Sequence, residues 1–168
     1  MSVREHKKTA PKSIRIGIIT VSSTRTLSED KSGMWICKTA KKEGHQVLPR
    51  RVIPDDAALI TKTVLDLIRE HSPQAVLLTG GTGISNKDVT IEAVRPLLVK
   101  ELPGFSAIFA QLSFEEIDSA AILSRAIAGV TGETVLFCIP GSLKACKLAC
   151  KALIFPELGH IVKHIFEK

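Results

Sequence analysis

The fold is decided by the stretch Ala75-Val76-Leu77-Leu78-Thr79-Gly80-Gly81-Thr82-Gly83. Its first five residues are mostly apolar, which is typical of a short strand buried on both faces of a parallel sheet. Three glycines follow at once, and glycine allows a tight turn whose backbone N–H groups can face an anion. An ordinary strand-to-helix turn needs only one glycine. The pattern therefore favours an anion-binding turn, with a plain strand-to-helix connection as the alternative.

Strands and helices alternate on both sides of this stretch. Further strands are predicted at residues 14–21, 46–53, 124–130 and 134–139. Helices are predicted at residues 34–43, after Pro54, near Ile91, after Pro103, from Ser142 to Leu153, and at the end of the chain. The alternation predicts an α/β three-layer sandwich, with a mostly parallel central sheet and helices on both faces. Such sheets bind ligands at the carboxyl ends of their strands.

Length and composition indicate one packed domain. The chain has 168 residues, of which 45% are hydrophobic and 24% charged, as in ordinary globular proteins. Residues 1–12 are predicted to form a flexible basic tail, and residues 13–168 a single domain. The apolar runs are too short to cross a membrane, and no apolar stretch follows the charged start as a secretory signal requires. We therefore expect no membrane partner and a cytoplasmic location.

The net charge and the cysteine spacing limit the classes of partner and ligand that we expect. Lys and Arg number 23 and Asp and Glu 17, a formal net charge of +6, which favours an anionic partner. Only 4% of residues are aromatic and none is Tyr. Binding to nucleic-acid bases relies on stacking against aromatic side chains, so no nucleic-acid partner is expected. A basic nucleic-acid-binding domain stays as an alternative function behind those given below. The cysteines lack C-x-x-C spacing and are predicted to be packed, reduced thiols rather than metal ligands.

Acidic residues follow two of the predicted strands. Asp55 and Asp56 come just after residues 46–53, and Asp88 lies a few residues beyond the glycines. We expect these carboxylates to converge beside the same phosphates, which they would repel unless a cation lay between them. Mg²⁺ is commonly held by one or two carboxylates together with phosphates. Asp55 and Asp88 are the predicted catalytic residues and metal ligands, with Asp56 in reserve. Each acid could instead cap a helix.

Two other loops offer groups for an anionic substrate. Pro140-Gly141-Ser142 repeats the order of strand, glycine turn and helix start, with Ser142 as the predicted N-cap and Lys144 in the first turn. Ser22 contributes a hydroxyl from the first loop. The histidines have no carboxylate or nucleophile at recognisable spacing, so no catalytic role is assigned to them. The predicted substrate-binding set is Ser22, Gly80, Gly81, Thr82, Gly83, Pro140, Gly141, Ser142 and Lys144.

Several short motifs occur in a fixed order along the chain. They are Leu78-Thr79-Gly80-Gly81-Thr82-Gly83, Lys87-Asp88-Val89-Thr90, Pro103-Gly104-Phe105, Leu123-Ser124-Arg125 and Pro140-Gly141-Ser142. With this set, about residues 14 to 155 resemble the MoaB/MogA family of molybdenum cofactor biosynthesis proteins. Residues 113–117 and 142–146 are similar to its MoaB branch in particular. In one departure, Ser23 stands where relatives often have Asp or Asn, so one polar contact of the first loop is expected to differ.

The resemblance implies a mostly parallel sheet, assembly as a homotrimer or homohexamer, and activity on molybdopterin. In the active branch the terminal phosphate of molybdopterin attacks the α-phosphate of Mg-ATP, giving adenylylated molybdopterin and pyrophosphate. Asp55 and Asp88 match the family's essential acids, and residues 80–83 match its phosphate- or pterin-binding turn. The expected function is thus molybdopterin adenylyltransferase, with Mg²⁺ as cofactor and ATP as co-substrate. The alternative is a non-catalytic molybdopterin-binding or carrier protein.

Overall fold

The computed structural model describes residues 9–167, which form one central sheet with helices on both faces. Its strands are β1 Arg15–Val21, β2 Gln46–Val47, β3 Arg51–Ile53, β4 Ala75–Thr79, β5 Lys100–Glu101, β6 Ile127–Thr131 and β7 Thr134–Ile139. Its α-helices are α1 Lys31–Lys42, α2 Ala57–His71, α3 Thr90–Val94, α4 Pro103–Ile117, α5 Leu143–Ala149 and α6 Phe155–Phe166. Short 3₁₀ helices follow α3 and α4, and a π-helical segment joins α5 to α6.

The sheet is mostly parallel, as predicted. Its order is β2-β1-β4-β7-β6-β5, and β3 also pairs with β1. Strand β1 is parallel to β2, β3 and β4, and β4 is parallel to β7. Only the edge formed by β6 and β5 is antiparallel within the described residues. The strands β4 and β7 are buried along their whole length, which explains their continuous apolar sequence.

Two hydrophobic clusters lie on opposite faces of the sheet. On one face, Ile36 of α1 and Phe109 of α4 pack with buried residues of α5 and α6. On the other face, Ile60 of α2 and Ile91 of α3 pack against alternate residues of β1 and β4. Because each cluster is sealed by its own helices, the predicted three-layer sandwich is confirmed.

The observed elements differ from the predicted ones where the chain contains a special residue. The strand predicted at 46–53 is split into β2 and β3, because Pro49 lacks a backbone N–H to donate to a sheet. The first helix begins at Lys31 rather than 34, because Asp30 accepts a 2.8 Å hydrogen bond from the Gly33 N–H and caps it.

Four consecutive parallel strands bring their carboxyl ends to one edge of the sheet. In order across the sheet these are β3, β1, β4 and β7. The loops that leave them begin at Pro54, Ser22, Gly80 and Pro140. All four loops that carry candidate residues therefore meet at the same edge.

The first described residues of the chain pack against the last helix, α6. Residues 1–8 of the predicted tail lie outside the described residues, and the carbonyl of Pro11 lies against Gly159 of α6. Across residues 9–167, no helix combines the length and apolar character that crossing a membrane requires.

The cysteines are free thiols, as predicted. Burial raises the pKa of the Cys138 and Cys150 thiols, which keeps them protonated.

Candidate active site

The four loops enclose a cleft of about 450 Å³. Most of the residues predicted from sequence lie in its wall. They are Ser22, Asp55, Gly80, Gly81, Thr82, Gly83, Asp88, Pro140, Gly141 and Ser142. Residues from positions 22 to 142 therefore meet around one hollow, as the parallel order of the strands requires.

Asp55 is fixed in the cleft by Ser23. The Ser23 N–H and hydroxyl both donate to Asp55 Oδ2, at 2.8 and 2.6 Å, and the Asp55 N–H donates back to Ser23 Oγ at 3.1 Å. The other oxygen, Oδ1, lies beside the glycine turn, 3.1 Å from where a Cβ on Gly81 would stand. Ser23 therefore fixes Oδ2 of the Asp55 carboxylate, and Oδ1 is directed towards Gly81.

Asp56 has a different task from its neighbour. Its Oδ1 accepts a 2.7 Å hydrogen bond from the Leu59 N–H, so Asp56 is the N-cap of α2. It is absent from the residues that line the cleft. The structure thus assigns the capping role to Asp56 and leaves Asp55 for the cleft, and it gives no support to Asp56 as a reserve ligand.

Asp88 is held as an ionised carboxylate beside Gly83, the last glycine of the turn. Its Oδ2 accepts hydrogen bonds from the Ser85 hydroxyl at 2.6 Å and the Ser85 N–H at 2.9 Å. The Ser85 hydroxyl is the largest cause of a lowered pKa of Asp88, to which the N–H groups of Ser85 and Gly83 and the charge of Arg125 add. The N-cap position of α3 is Val89, and no side chain of residues 9–167 caps that helix, so the helix-cap alternative for Asp88 was wrong.

The first two glycines of the turn occupy backbone conformations that exclude a side chain. Gly80 and Gly81 have φ values of 99° and 63°, in the left-handed region that glycine adopts without strain. A Cβ on Gly80 would collide with the Val21 carbonyl, and one on Gly81 with Thr90 Oγ1. The glycines are therefore needed both for the turn and for the close approach of β1 and α3.

The loop after β7 packs directly on this turn. A Cβ on Gly141 would lie 3.0 Å from the Gly80 Cα, and the Gly141 carbonyl accepts from Ser32 Oγ at 2.9 Å and Arg25 Nη1 at 3.2 Å. Ser142 caps α5 as predicted, accepting from the Ala145 N–H at 3.2 Å. The two glycine loops thus form one continuous wall.

Lys144 was predicted to reach the substrate, but its side chain points elsewhere. The Lys144 ammonium lies 3.1 Å from Glu116 of α4, and Lys144 does not line the cleft. Three cationic residues missed in the sequence do line it, namely Arg25, Lys87 and Arg125. All three lie in loops that have no periodicity to mark them. The only signal was that Lys87 and Arg125 belong to motifs of the family resemblance.

The two acids of the cleft are of the chemical kind that holds a divalent cation together with phosphate oxygens. Within residues 9–167, no group of three or more His, Cys, Asp or Glu side chains could hold a metal without further ligands. Asp55 and Asp88 line one cleft, however, and Mg²⁺ typically takes one or two carboxylates and completes its shell with phosphate oxygens and water. The donor set therefore fits a metal that arrives with a phosphate and does not fit a resident all-protein metal site.

Comparison with known proteins identifies the family. A family model described as a probable molybdopterin binding domain matches residues 17–160. Molybdenum cofactor biosynthesis protein B of Bacillus subtilis (strain 168) is 49% identical over 166 residues, which cover 98% of each chain. The chain belongs to the MoaB branch of the molybdenum cofactor biosynthesis proteins.

Solved structures of MoaB proteins share its fold. A crystal structure of molybdenum cofactor biosynthesis protein B has a TM-score of 0.91 at 45% identity, and covers 95% of this chain and 100% of its own. The tungsten cofactor synthesizing protein MoaB from Pyrococcus furiosus has a TM-score of 0.85 at 37% identity, with coverages of 94% and 100%. The resemblance to the MoaB/MogA family that the motifs indicated is confirmed.

Proposed function

We propose that this MoaB-family protein is a molybdopterin adenylyltransferase that uses Mg-ATP and releases pyrophosphate. The observation that carries the proposal is that Asp55 lies beside Gly81 and Asp88 beside Gly83, inside the one cleft that the glycine turn lines. A turn of this kind binds phosphate through its backbone N–H groups, and the acids hold a cation on that phosphate. Both substrates of the reaction carry phosphates, so one cleft serves them.

The cleft suits two anionic substrates that must lie next to each other. Its volume of about 450 Å³ is in the range of small-molecule sites, roughly 300–1,000 Å³. Arg25 and Lys87 line it and offset the negative charge of a triphosphate and a phosphomonoester. The close packing of Gly141 on Gly80 joins two glycine-containing loops, which gives neighbouring places for two phosphate groups.

The reaction makes modest chemical demands on the side chains. An oxygen of the terminal phosphate of molybdopterin forms a bond to the α-phosphorus of ATP, and the bond from that phosphorus to the bridging oxygen breaks to release pyrophosphate. The attacking phosphate is already an anion, so no side chain need remove a proton. The protein therefore works by positioning and by neutralising charge. Mg²⁺ on Asp55 and Asp88 would supply neutralisation of the phosphate oxygens.

The test is pyrophosphate release from purified molybdopterin and Mg-ATP. Asp88→Asn and Asp55→Asn are expected to lower turnover at least about a hundredfold, as loss of an electrostatic contact to a transition state does, while the far-UV spectrum is retained. Asp66→Asn is the matched control, because Asp66 lies on α2, is not among the residues that line the cleft, and pairs with Lys62 and Arg69. Turnover by Asp88→Asn at the level of Asp66→Asn would refute the role of Asp88.

The second candidate is a carrier that keeps the same cleft without chemistry. It predicts that molybdopterin raises the melting temperature and that Mg-ATP adds nothing. A ligand at about 100 times its dissociation constant stabilises the folded state by about 2.7 kcal/mol, which a melting scan detects. Separate shifts with molybdopterin and with Mg-ATP favour the enzyme, whereas a shift with molybdopterin alone favours the carrier.

We propose further that the protein assembles as a homotrimer or homohexamer in the cytoplasm. Large apolar side chains on α4 and the 3₁₀ helix after it are exposed, among them Phe114 at 57% and Ile122 at 87%. Exposed apolar surface of this kind marks association sites. The free thiols of the described residues suit a reducing compartment.

A further inference from the structure

Every carbonyl of the glycine turn is held from inside the protein by one of two residues. Thr90 Oγ1 donates to the Gly80 carbonyl at 2.8 Å, and the Thr90 N–H donates to the Gly81 carbonyl at 2.9 Å. Arg125 Nε donates to the Thr82 carbonyl at 3.0 Å and to the Gly83 carbonyl at 3.1 Å. Thr90 thus holds the first half of the turn and Arg125 the second half.

The N–H groups of the turn, unlike its carbonyls, are not all hydrogen-bonded within residues 9–167. The Gly80 N–H donates to the Ile139 carbonyl at 3.0 Å, which ties the turn to β7. Within residues 9–167, the N–H groups of Gly81 and Thr82 donate to no protein acceptor, and both residues line the cleft. A carbonyl oxygen turned towards a phosphate repels it, whereas an N–H group binds it. Holding the carbonyls therefore preserves an anion-binding turn.

Glu92 forms an ion pair with Arg125 and holds its side chain against the glycine turn. Arg125 Nη1 and Nη2 donate to the two oxygens of Glu92, at 2.6 and 3.3 Å, while Nε serves the two carbonyls. An arginine with a free guanidinium in a phosphate site would bind the phosphate itself. Because the Glu92 carboxylate neutralises the guanidinium and takes one N–H of each terminal nitrogen, Arg125 is not a free cation, and its Nε acts on the backbone of the turn.

We propose that Thr90, Arg125 and Glu92 are positioning residues that orient the glycine turn, so that the Gly81 and Thr82 N–H groups bind a phosphate of the substrate. The proposal deepens the proposed function and rests on it for the identity of the substrate. None of the three residues needs to touch the phosphate. A lysine cannot replace Arg125, because one ammonium cannot reach two carbonyls and both oxygens of Glu92 from a single position.

The experiment uses inorganic pyrophosphate as the probe and the backbone amide resonances of the full chain as the readout. In the native protein, pyrophosphate is expected to shift the Gly81 and Thr82 amide resonances until they saturate. Arg125→Lys and Thr90→Val are expected to bind it about tenfold more weakly, as when one misoriented N–H group of the turn no longer donates a charge-assisted hydrogen bond to the pyrophosphate. Thr90→Ser keeps the hydroxyl and is expected to recover the affinity that Thr90→Val loses. Arg95→Lys is the matched control, because Arg95 pairs with Glu101 outside the cleft.

A melting scan of each variant separates positioning from loss of fold. Glu92→Gln provides a second route, since Glu92 is 52% exposed in its side chain and its substitution does not open the core. It is expected to weaken pyrophosphate binding while the melting temperature stays within a few degrees of the native value. Native affinity in Arg125→Lys, Thr90→Val and Glu92→Gln would overturn the proposal, as would amides of Gly81 and Thr82 that pyrophosphate does not move.

The two proposals fail in different ways. If the amides respond as expected but pyrophosphate is not released from molybdopterin and Mg-ATP, the adenylyl transfer is wrong and the positioning role stands. If pyrophosphate is released while the amides of Gly81 and Thr82 stay unmoved, the adenylyl transfer stands and the positioning role is wrong.

Discussion

Ser23 and Asp55, 32 residues apart in sequence, hold each other by hydrogen bonds in both directions. The contact joins the loop after β1 to the loop after β3 at the mouth of the cleft. An aspartate at position 23 would place two carboxylates in contact, whereas serine donates to Asp55 and leaves a single charge there. Serine at position 23, where relatives often have Asp or Asn, thus fixes the orientation of the Asp55 carboxylate.

Ser23→Ala is expected to lower turnover about tenfold. The substitution removes the hydroxyl that donates to Asp55 Oδ2 and accepts from the Asp55 N–H, at the usual worth of one or two hydrogen bonds. The measurement is pyrophosphate release, with Ser28→Ala as the control, because the Ser28 hydroxyl hydrogen-bonds to Thr26 in the same loop and Ser28 is not among the residues that line the cleft. Equal rates for the two variants would show that Asp55 does not depend on Ser23.

Gly81→Ala and Gly132→Ala form a matched pair that separates backbone strain from collision. Both glycines have positive φ, so each alanine is expected to cost about 1–2 kcal/mol of unfolding free energy through strain. A Cβ at Gly132 meets nothing within 4 Å, but one at Gly81 meets Thr90 and Asp55. Chemical denaturation should show the larger loss for Gly81→Ala, and only that variant should lose pyrophosphate binding. Similar losses in both would contradict the close packing of the turn.

The ion pair between Glu92 and Arg125 predicts a pH dependence. The hydrogen bond from Arg125 is the largest cause of a pKa of Glu92 below its ordinary value of 4.5. Because the pKa is lower in the folded state, the pair stabilises the protein above that ordinary value, and the stabilisation is lost as the pH falls through the folded pKa. The difference in melting temperature between the native protein and Glu92→Gln should be constant near neutrality and shrink below pH 4.5. A difference that grows towards acid pH would contradict the pairing.

Assembly is tested by charging the exposed apolar surface of α4 and of the 3₁₀ helix that follows it. Ile122→Lys and Phe114→Lys each place an ammonium where an exposed apolar side chain stands, and we expect both to convert the native oligomer to monomers in light scattering. Leu65→Lys is the control on the opposite face of the sheet, since Leu65 of α2 is also exposed, at 46%. A native mass that equals one chain, or an oligomer that survives both substitutions, would contradict this interface.

Much of the fold followed from local patterns. Apolar strands that alternate with helices predicted the parallel sandwich, and the glycines after β4 predicted the central turn of the site. The split at Pro49 and the earlier start of α1 are shifts of a few residues, because strand and helix ends depend on single hydrogen bonds. The strand order required pairings between distant segments, which no local pattern contains.

The site was predictable where residues follow strand ends and not where side chains cross between elements. Asp55 and Asp56 are equivalent in sequence, and only the turn at the start of α2 decides which one becomes the cap. Lys144 is close to Ser142 along the chain, but a neighbour on α4 draws its side chain away. Arg125 reaches the glycine turn from more than forty residues along the chain, and nothing in its local sequence predicts that contact.

The most direct measurement of the central claim follows pyrophosphate released by the full chain from purified molybdopterin and Mg-ATP, with Asp55→Asn and Asp88→Asn assayed beside it. We expect steady release by the native protein, and release at least about a hundredfold slower by either variant with its fold intact. No release by the native protein, or release by both variants at the native rate, would contradict it.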